Sequence, residues 1–257
     1  PVKAAANGVI LKSNRTYAAY DVTGDGMKDK IRIRAANQTD DEAYSSLTVS
    51  INGKTAYRLK NTRFYNVIAN IYTLKNGQPF LYLYAPAENG DGPVCALLKY
   101  TNGKFRKILD FTEIMAGYGN HRIGEVTNLN GNKIVITESI VSYSLGINAI
   151  NFTYEYVNGK FVPTSRYGSY KEIYSADGSS RYFTVNSDLP AYARPGATAV
   201  NTTLKTGSLT KIIKCALINR KMYIQLECDG EIYWIKALEN PPISDSERQF
   251  MEVRYAG

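Results

Sequence analysis

The chain has 257 residues, 44% of them hydrophobic and 21% charged, with a formal net charge of +8. That length supports one large or two ordinary domains with real cores, and with no run of about 18 apolar residues it offers no membrane-spanning helix. Basic residues are spread along the whole sequence, which argues for a solvated basic surface and against a nucleic-acid reader, and leaves attraction to an anionic surface polymer open.

Twenty-one tyrosines, with many Val, Ile, Thr and Phe, tilt the chain toward strand. The first strands are expected at residues 8–11 and 17–20. A nine-residue loop, Asp21 to Asp29, follows, and then Lys30-Ile31-Arg32-Ile33-Arg34 alternates as a half-buried strand does. Residues 37–43 are polar and acidic and read as a surface loop. Residues 46–51 and 54–59 flank Asn52-Gly53 and read as a hairpin, because both central residues of a primed turn need positive φ.

The Asn-Gly pair recurs at Asn76-Gly77, Asn102-Gly103, Asn130-Gly131 and Asn158-Gly159, in steps of 24 to 28 residues. A longer period lies over it. Tyr100-Thr101-Asn102-Gly103-Lys104-Phe105 matches Tyr156-Val157-Asn158-Gly159-Lys160-Phe161 at an offset of 56. The unit is two hairpins, with copies over about residues 15–60, 61–115 and 116–167. Four strands per repeat at this period is the pattern of a propeller blade. The acidic loop occupies, in the first unit, the turn that Asn76-Gly77 and Asn130-Gly131 occupy later.

After Tyr170 the pattern changes. Asp177-Gly178-Ser179-Ser180 is a polar turn that divides the sequence into 1–176 and 177–257. Five or six short strands follow over 182–235, ending in Tyr233-Trp234-Ile235, as in a small β-barrel. The tail from Asn240 carries Ser244-Asp245-Ser246-Glu247, a capping-box-like start for a short helix.

Asp21, Asp25 and Asp29 crowd negative charge into one short glycine-bearing loop, which suits a hard cation with oxygen ligands, Ca²⁺ above all. The expected ligands are the side chains of Asp21, Thr23, Asp25 and Asp29 with the carbonyl of Met27. Arg32 at the twelfth position excludes an EF-hand. Asp21 to Asp29, followed by alternating Ile, resembles the calcium loop of FG-GAP/VCBS-type β-propeller repeats, a family common in secreted and cell-surface proteins. Thr23 stands where that family often has Asp or Asn. The C-terminal strand order resembles a bacterial Src-homology-3-like domain, which implies contact with cell wall or peptide. The expected fold is all-β, a propeller-like repeat domain plus a small barrel.

His121 is the sole histidine, and no nucleophile or orienting acid adjoins it in sequence. Glu138 lies within a strand-like run, and glycoside hydrolysis needs a second convergent carboxylate. Tyr65, Tyr72, Tyr82, Tyr84, Tyr118, Tyr143, Tyr154 and Tyr156 fall on the repeats and read chiefly as packing residues. Cys95 reads as core. Cys215 and Cys228 could be cross-strand partners or buried free thiols. No catalytic constellation is present, so the expectation is a non-enzymatic, monomeric binding or adhesion module. Its partner would be a cell-wall glycan, a peptide or another anionic surface polymer, with no nucleic acid. The alternative is a carbohydrate-active enzyme or its accessory domain. The small-residue start, Pro1 to Ala6, fits a chain left after removal of a secretory signal, and so an extracellular or cell-surface location.

Overall fold

A computed structural model describes residues 8–38, 41–175 and 178–255. The start of the chain at residues 1–6, positions 39–40 of the expected 37–43 loop and Asp177 of the dividing turn lie outside them. The protein is all-β: among the described residues there are strands, turns and three single-turn 3-10 segments, and no α-helix. Among the described residues no helix is long and apolar enough to cross a membrane.

The strands between Val9 and Pro163 form consecutive antiparallel meanders. β1 (Val9–Leu11) precedes the first, which is β2 (Thr16–Tyr20), β3 (Asp29–Gln38), β4 (Tyr44–Ile51) and β5 (Lys54–Phe64), paired in that order. The second is β6 (Ile68–Thr73), β7 (Pro79–Ala85), β8 (Val94–Thr101) and β9 (Lys104–Asp110), with β1 added beside β6. β10 (Gly119–Asn130), β11 (Lys133–Ser142), β12 (Gly146–Val157) and β13 (Lys160–Pro163) pair in the same way.

The Asn-Gly pairs at Asn52, Asn76, Asn102, Asn130 and Asn158 fall into two structural sets. Asn52-Gly53, Asn102-Gly103 and Asn158-Gly159 each join the third and fourth strands of a meander, with φ of 50–51° at Asn and 80–82° at Gly. Both residues are in the left-handed region that a primed two-residue turn demands. Asn76-Gly77 and Asn130-Gly131 join first and second strands, and there only the glycine has positive φ.

The chain forms two compact units. Unit 1 is Pro1–Thr112 with Val126–Val135 and Glu155–Val162, the latter two holding hairpin tips of the third meander. Its core takes Ile31 and Ile33 from β3, Leu47, Val49 and Ile51 from β4, and Ile71, Leu81, Leu83 and Leu98 from the second meander. The Lys30–Arg34 alternation is realised: Ile31 and Ile33 are buried and Arg32 and Arg34 exposed. Aromatic packing adds to the core. Tyr72 meets Tyr82 edge-on at 6.4 Å, and Phe80, Tyr156 and Phe161 have ring centroids 5.0–5.2 Å apart.

Unit 2 is Glu113–Glu125, Ile136–Tyr154 and Pro163–Gly257. It contains β14 (Tyr167–Ser175), β15 (Gly178–Ser179), β16 (Tyr182–Thr184), β17 (Leu189–Ala191), β18 (Thr202–Leu204), β19 (Leu209–Ile218), β20 (Lys221–Cys228) and β21 (Glu231–Lys236). β14, β19, β20 and β21 pair in that order, β16 pairs β19, and β17 and β18 form a separate ribbon. None of the described sheets closes on itself. The segment after β21 is packed: Phe250 is fully buried against Phe183, ring centroids 5.6 Å apart, and Glu252 accepts from the Thr184 N–H and hydroxyl. The Ser244–Glu247 signal gives one 3-10 turn, Asp245–Glu247.

Cys95, Cys215 and Cys228 are buried free thiols. In the β19–β20 register Cys215 faces Ile224 and Cys228 faces Thr210. Four residues of strand separate Ile224 from Cys228, roughly 13 Å, well beyond the span of a disulfide. The cross-strand pairing is therefore excluded in this register.

Candidate metal centre

The Asp21–Asp29 loop joins β2 to β3, and Asp29 is the first residue of β3. Gly24 and Gly26 have φ of 80° and 85°, so the loop doubles back twice where L-residues are disfavoured. Val22 points inward at 5% exposure, while residues 24–28 are exposed. The loop is thus anchored at its ends and open at its middle.

Asp29 is 1% exposed, a position that a carboxylate tolerates only when its oxygens are hydrogen-bonded. Its Oδ2 accepts the N–H groups of Val22 at 2.7 Å and Thr23 at 2.9 Å. Its Oδ1 accepts the Asn52 Nδ2 at 2.6 Å and lies 3.3 Å from Thr23 Oγ1. Asn52 comes from the β4–β5 turn, and it also takes the Lys30 N–H on its Oδ1 at 2.8 Å and donates its own N–H to the Lys30 carbonyl at 2.9 Å. The acidic loop and the neighbouring Asn-Gly turn are one hydrogen-bonded unit.

Asp21 organises the outer half. Its Oδ1 accepts Gly24 N–H at 2.7 Å and Asp25 N–H at 3.2 Å, and its Oδ2 accepts Gly26 N–H at 2.8 Å. Burial pushes its carboxyl up, but the donors from Gly26, Gly24, Asp25 and the Thr23 hydroxyl outweigh this and hold it below the ordinary carboxylate value. Asp25 is exposed, and its Oδ1 accepts the Met27 N–H at 2.8 Å.

The structure therefore brings together Asp21, Thr23 and Asp29. Asp25 and Met27 lie on the exposed middle of the loop, and among the described residues no group of three or more His, Cys, Asp or Glu is gathered as a metal site. The donor set is all hard oxygen and fits Ca²⁺ in kind. Thr23 Oγ1 lies 3.4 Å from Asp21 Oδ1 and 3.3 Å from Asp29 Oδ1. A hydroxyl has one proton and donates to one acceptor at a time, so one of these contacts is oxygen against oxygen. Two ligands about 2.4 Å from a Ca²⁺ at a right angle would stand about 3.4 Å apart. Asp29, whose lone pairs already serve the Val22 and Thr23 N–H groups and the Asn52 Nδ2, is the ligand with least to spare.

A cleft of about 340 Å³ adjoins the loop, lined by Asp21 to Gly24, the Asn76–Pro79 turn, Lys99 and Tyr100. Lys99 Nζ donates to the Tyr156 hydroxyl at 2.9 Å, which fixes it beside the cleft. Sequence reading missed this wall and missed Asn52. The one available signal was that Asn76-Gly77 occupies the turn equivalent to the acidic loop.

His121 sits half-buried on β10 with a φ of 53°. Glu138 is fully buried on β11. Tyr154 on β12 is held protonated well into the alkaline range, first by burial and then by the Glu138 charge. No protein-family model, curated protein or solved structure matches the chain.

Proposed function

We propose that this chain is a non-enzymatic binding module of a secreted or cell-surface protein. In this reading the repeat meanders are propeller-like, the C-terminal strands act as a Src-homology-3-like element, and the acidic loop is a structural Ca²⁺ clamp. The partner is a cell-wall glycan, a peptide or another anionic surface polymer.

The observation that carries this reading is the use to which the acidic loop is put. Asp29 spends its oxygens on Val22, Thr23 and Asn52, so it ties two hairpins together and is not presented to a substrate. A calcium ion held by Asp21, Thr23, Asp25 and Asp29, with the Met27 carbonyl, would supply positive charge that offsets their mutual repulsion. The cleft beside the loop is lined by Asn76, Gln78, Lys99 and Tyr100, a mixture of polar and aromatic residues that suits polyhydroxylated ligands.

The test is retention of the purified chain on isolated cell walls and on a glycan array, each with Ca²⁺ and with chelator. Retention on walls with no glycan turnover supports the reading. Release of reducing sugar from any bound glycan sinks it.

A further inference from the structure

In unit 2, β19 carries a bulge between Ile212 and Lys214. In a regular strand, residues three apart point to opposite faces. Here Lys211 opposes Glu227 and Lys214 opposes Gln225, and residues 225 and 227 share a face. The extra residue, Ile213, therefore turns both lysines to the same side of the sheet. The bulge is pinned from β14 and the approach to β16: Arg181 donates to the carbonyls of Tyr170 at 2.6 Å and Ile213 at 3.4 Å, and its own carbonyl accepts the Ile212 N–H at 2.7 Å.

This face is covered over only part of its area. Tyr192 packs on Ala216, Tyr223 and Trp234, and bonds Trp234 through both backbone groups at 2.7 and 2.9 Å. The rest is open. Tyr182, opposite Lys211, is 53% exposed, and Tyr167, opposite Ala216, is 36% exposed. Each tyrosine carries cations. Lys211 Nζ lies 5.9 Å from the Tyr182 ring centroid, Lys214 Nζ 4.5 Å from that of Tyr167, and the Arg166 guanidinium 5.3 Å from the same ring. Among the described residues none of these three cations is ion-paired with a carboxylate, and Glu227 is the acidic residue facing them across the strands.

We infer that this open face binds a linear acidic polysaccharide, with Arg166, Lys211 and Lys214 taking its carboxylates. Positive charge that is not ion-paired with a carboxylate, set along one face of the sheet, is complementary to a polymer that repeats negative charge along an extended chain. The rings hold the cations in place, so little side-chain freedom is lost on binding. The Tyr167 ring is already occupied by Lys214, Arg166 and Trp234, the last at 5.9 Å. That leaves the Tyr167 ring unavailable for base stacking, which counts against single-stranded nucleic acid.

The choice of a polysaccharide rests on the binding-module reading, whereas the charged face does not. The experiment uses the full chain in chelator-containing, low-salt buffer, and measures binding to polygalacturonate, to neutral dextran and to a thymidine oligonucleotide. Polygalacturonate should bind and dextran should not. The K211Q/K214Q double variant should weaken binding about three- to thirtyfold, and K211R/K214R should retain it. Unchanged affinity in K211Q/K214Q, with native circular dichroism, overturns the inference, as does tighter binding of the oligonucleotide than of polygalacturonate. Cell-wall retention without polygalacturonate binding overturns this face and leaves the broader reading standing. Polygalacturonate binding without wall retention does the reverse.

Discussion

Asn52 Nδ2 donates to Asp29 Oδ1 at 2.6 Å, across 23 residues of sequence. One partner lies in an Asn-Gly turn at φ 51° and the other is a buried carboxylate opening β3. Asn52→Gly keeps the turn, since glycine accepts that φ freely, and deletes only the side-chain bonds to Asp29 and Lys30. It should destabilise the chain by about 1.5–3 kcal/mol, the range for a hydrogen bond to a charged group. Urea unfolding of the two proteins with equal m-values would measure it. A change under about 0.5 kcal/mol, the range of an ordinary surface substitution, would show that Asp29 does not depend on Asn52.

The clamp and the metal can be separated by substitution. The Asp25 side chain accepts only the Met27 N–H at the exposed middle of the loop, so Asp25→Ala should leave the calcium-free melting temperature nearly unchanged. In the parent chain Ca²⁺ should raise the melting temperature, because an ion bound only by the folded state stabilises it by mass action. Asp25→Ala should abolish that rise. Asp29→Asn should lower the melting temperature with or without calcium, because it disturbs a carboxylate bonded by Val22, Thr23 and Asn52. A parent chain that shows no response to Ca²⁺ removes the metal from the account and leaves the hydrogen-bonded clamp intact.

What the sequence made legible was local. The alternation through Ile31 and Ile33 named a buried face, and Asn52-Gly53, Asn102-Gly103 and Asn158-Gly159 named three primed turns, because each signal lies within a few residues. Loop residues 37–43 were placed less well: β3 runs on to Gln38, where pairing with Tyr44 overrides a polar composition. The joining of β1 to β6, with Val9 opposite Ile71, depends on a partner 62 positions away that no local pattern names. The bulge at Ile213 was hidden for a related reason. Spacing alone puts Lys211 and Lys214 on opposite faces, and only the pairing with Glu227 and Gln225 reveals one. Asp29 was legible as an acidic residue in a loop, but its burial and its bond to Asn52 were not.

Acid should loosen the outer half of the loop. The carboxyl of Asp21 is held below its ordinary value in the folded chain. A group with a depressed folded pKa contributes stability that is fully present above the unfolded value, near 4, and is lost as pH falls through the folded value. Melting temperature should therefore decline as pH falls from about 5 toward 2. Asp188, lowered first by its bond from Lys205 and then by the Thr206 N–H, adds to the same decline from unit 2. Asp21→Asn should start lower at neutral pH and fall less steeply. Parallel curves for the two proteins would show that Asp21 is not a source of the acid sensitivity.

The three cysteines give a readout of opening in each unit. Cys95 lies in the β8 interior of unit 1, and Cys215 and Cys228 lie in β19 and β20 of unit 2. Burial pushes the Cys215 thiol up to about 12, and burial followed by the Asp229 charge raises that of Cys228. The thiolate is the reactive form, so at neutral pH the native chain should react with a disulfide reagent far more slowly than a free thiol. In denaturant all three should titrate, matching the three cysteines of the sequence. Prior reduction should not change the denatured count, because none of the three is tied in a disulfide. A denatured count of one thiol that rises to three on reduction would establish a disulfide, and peptide mapping of that bridge to Cys215 and Cys228 would overturn the β19–β20 register.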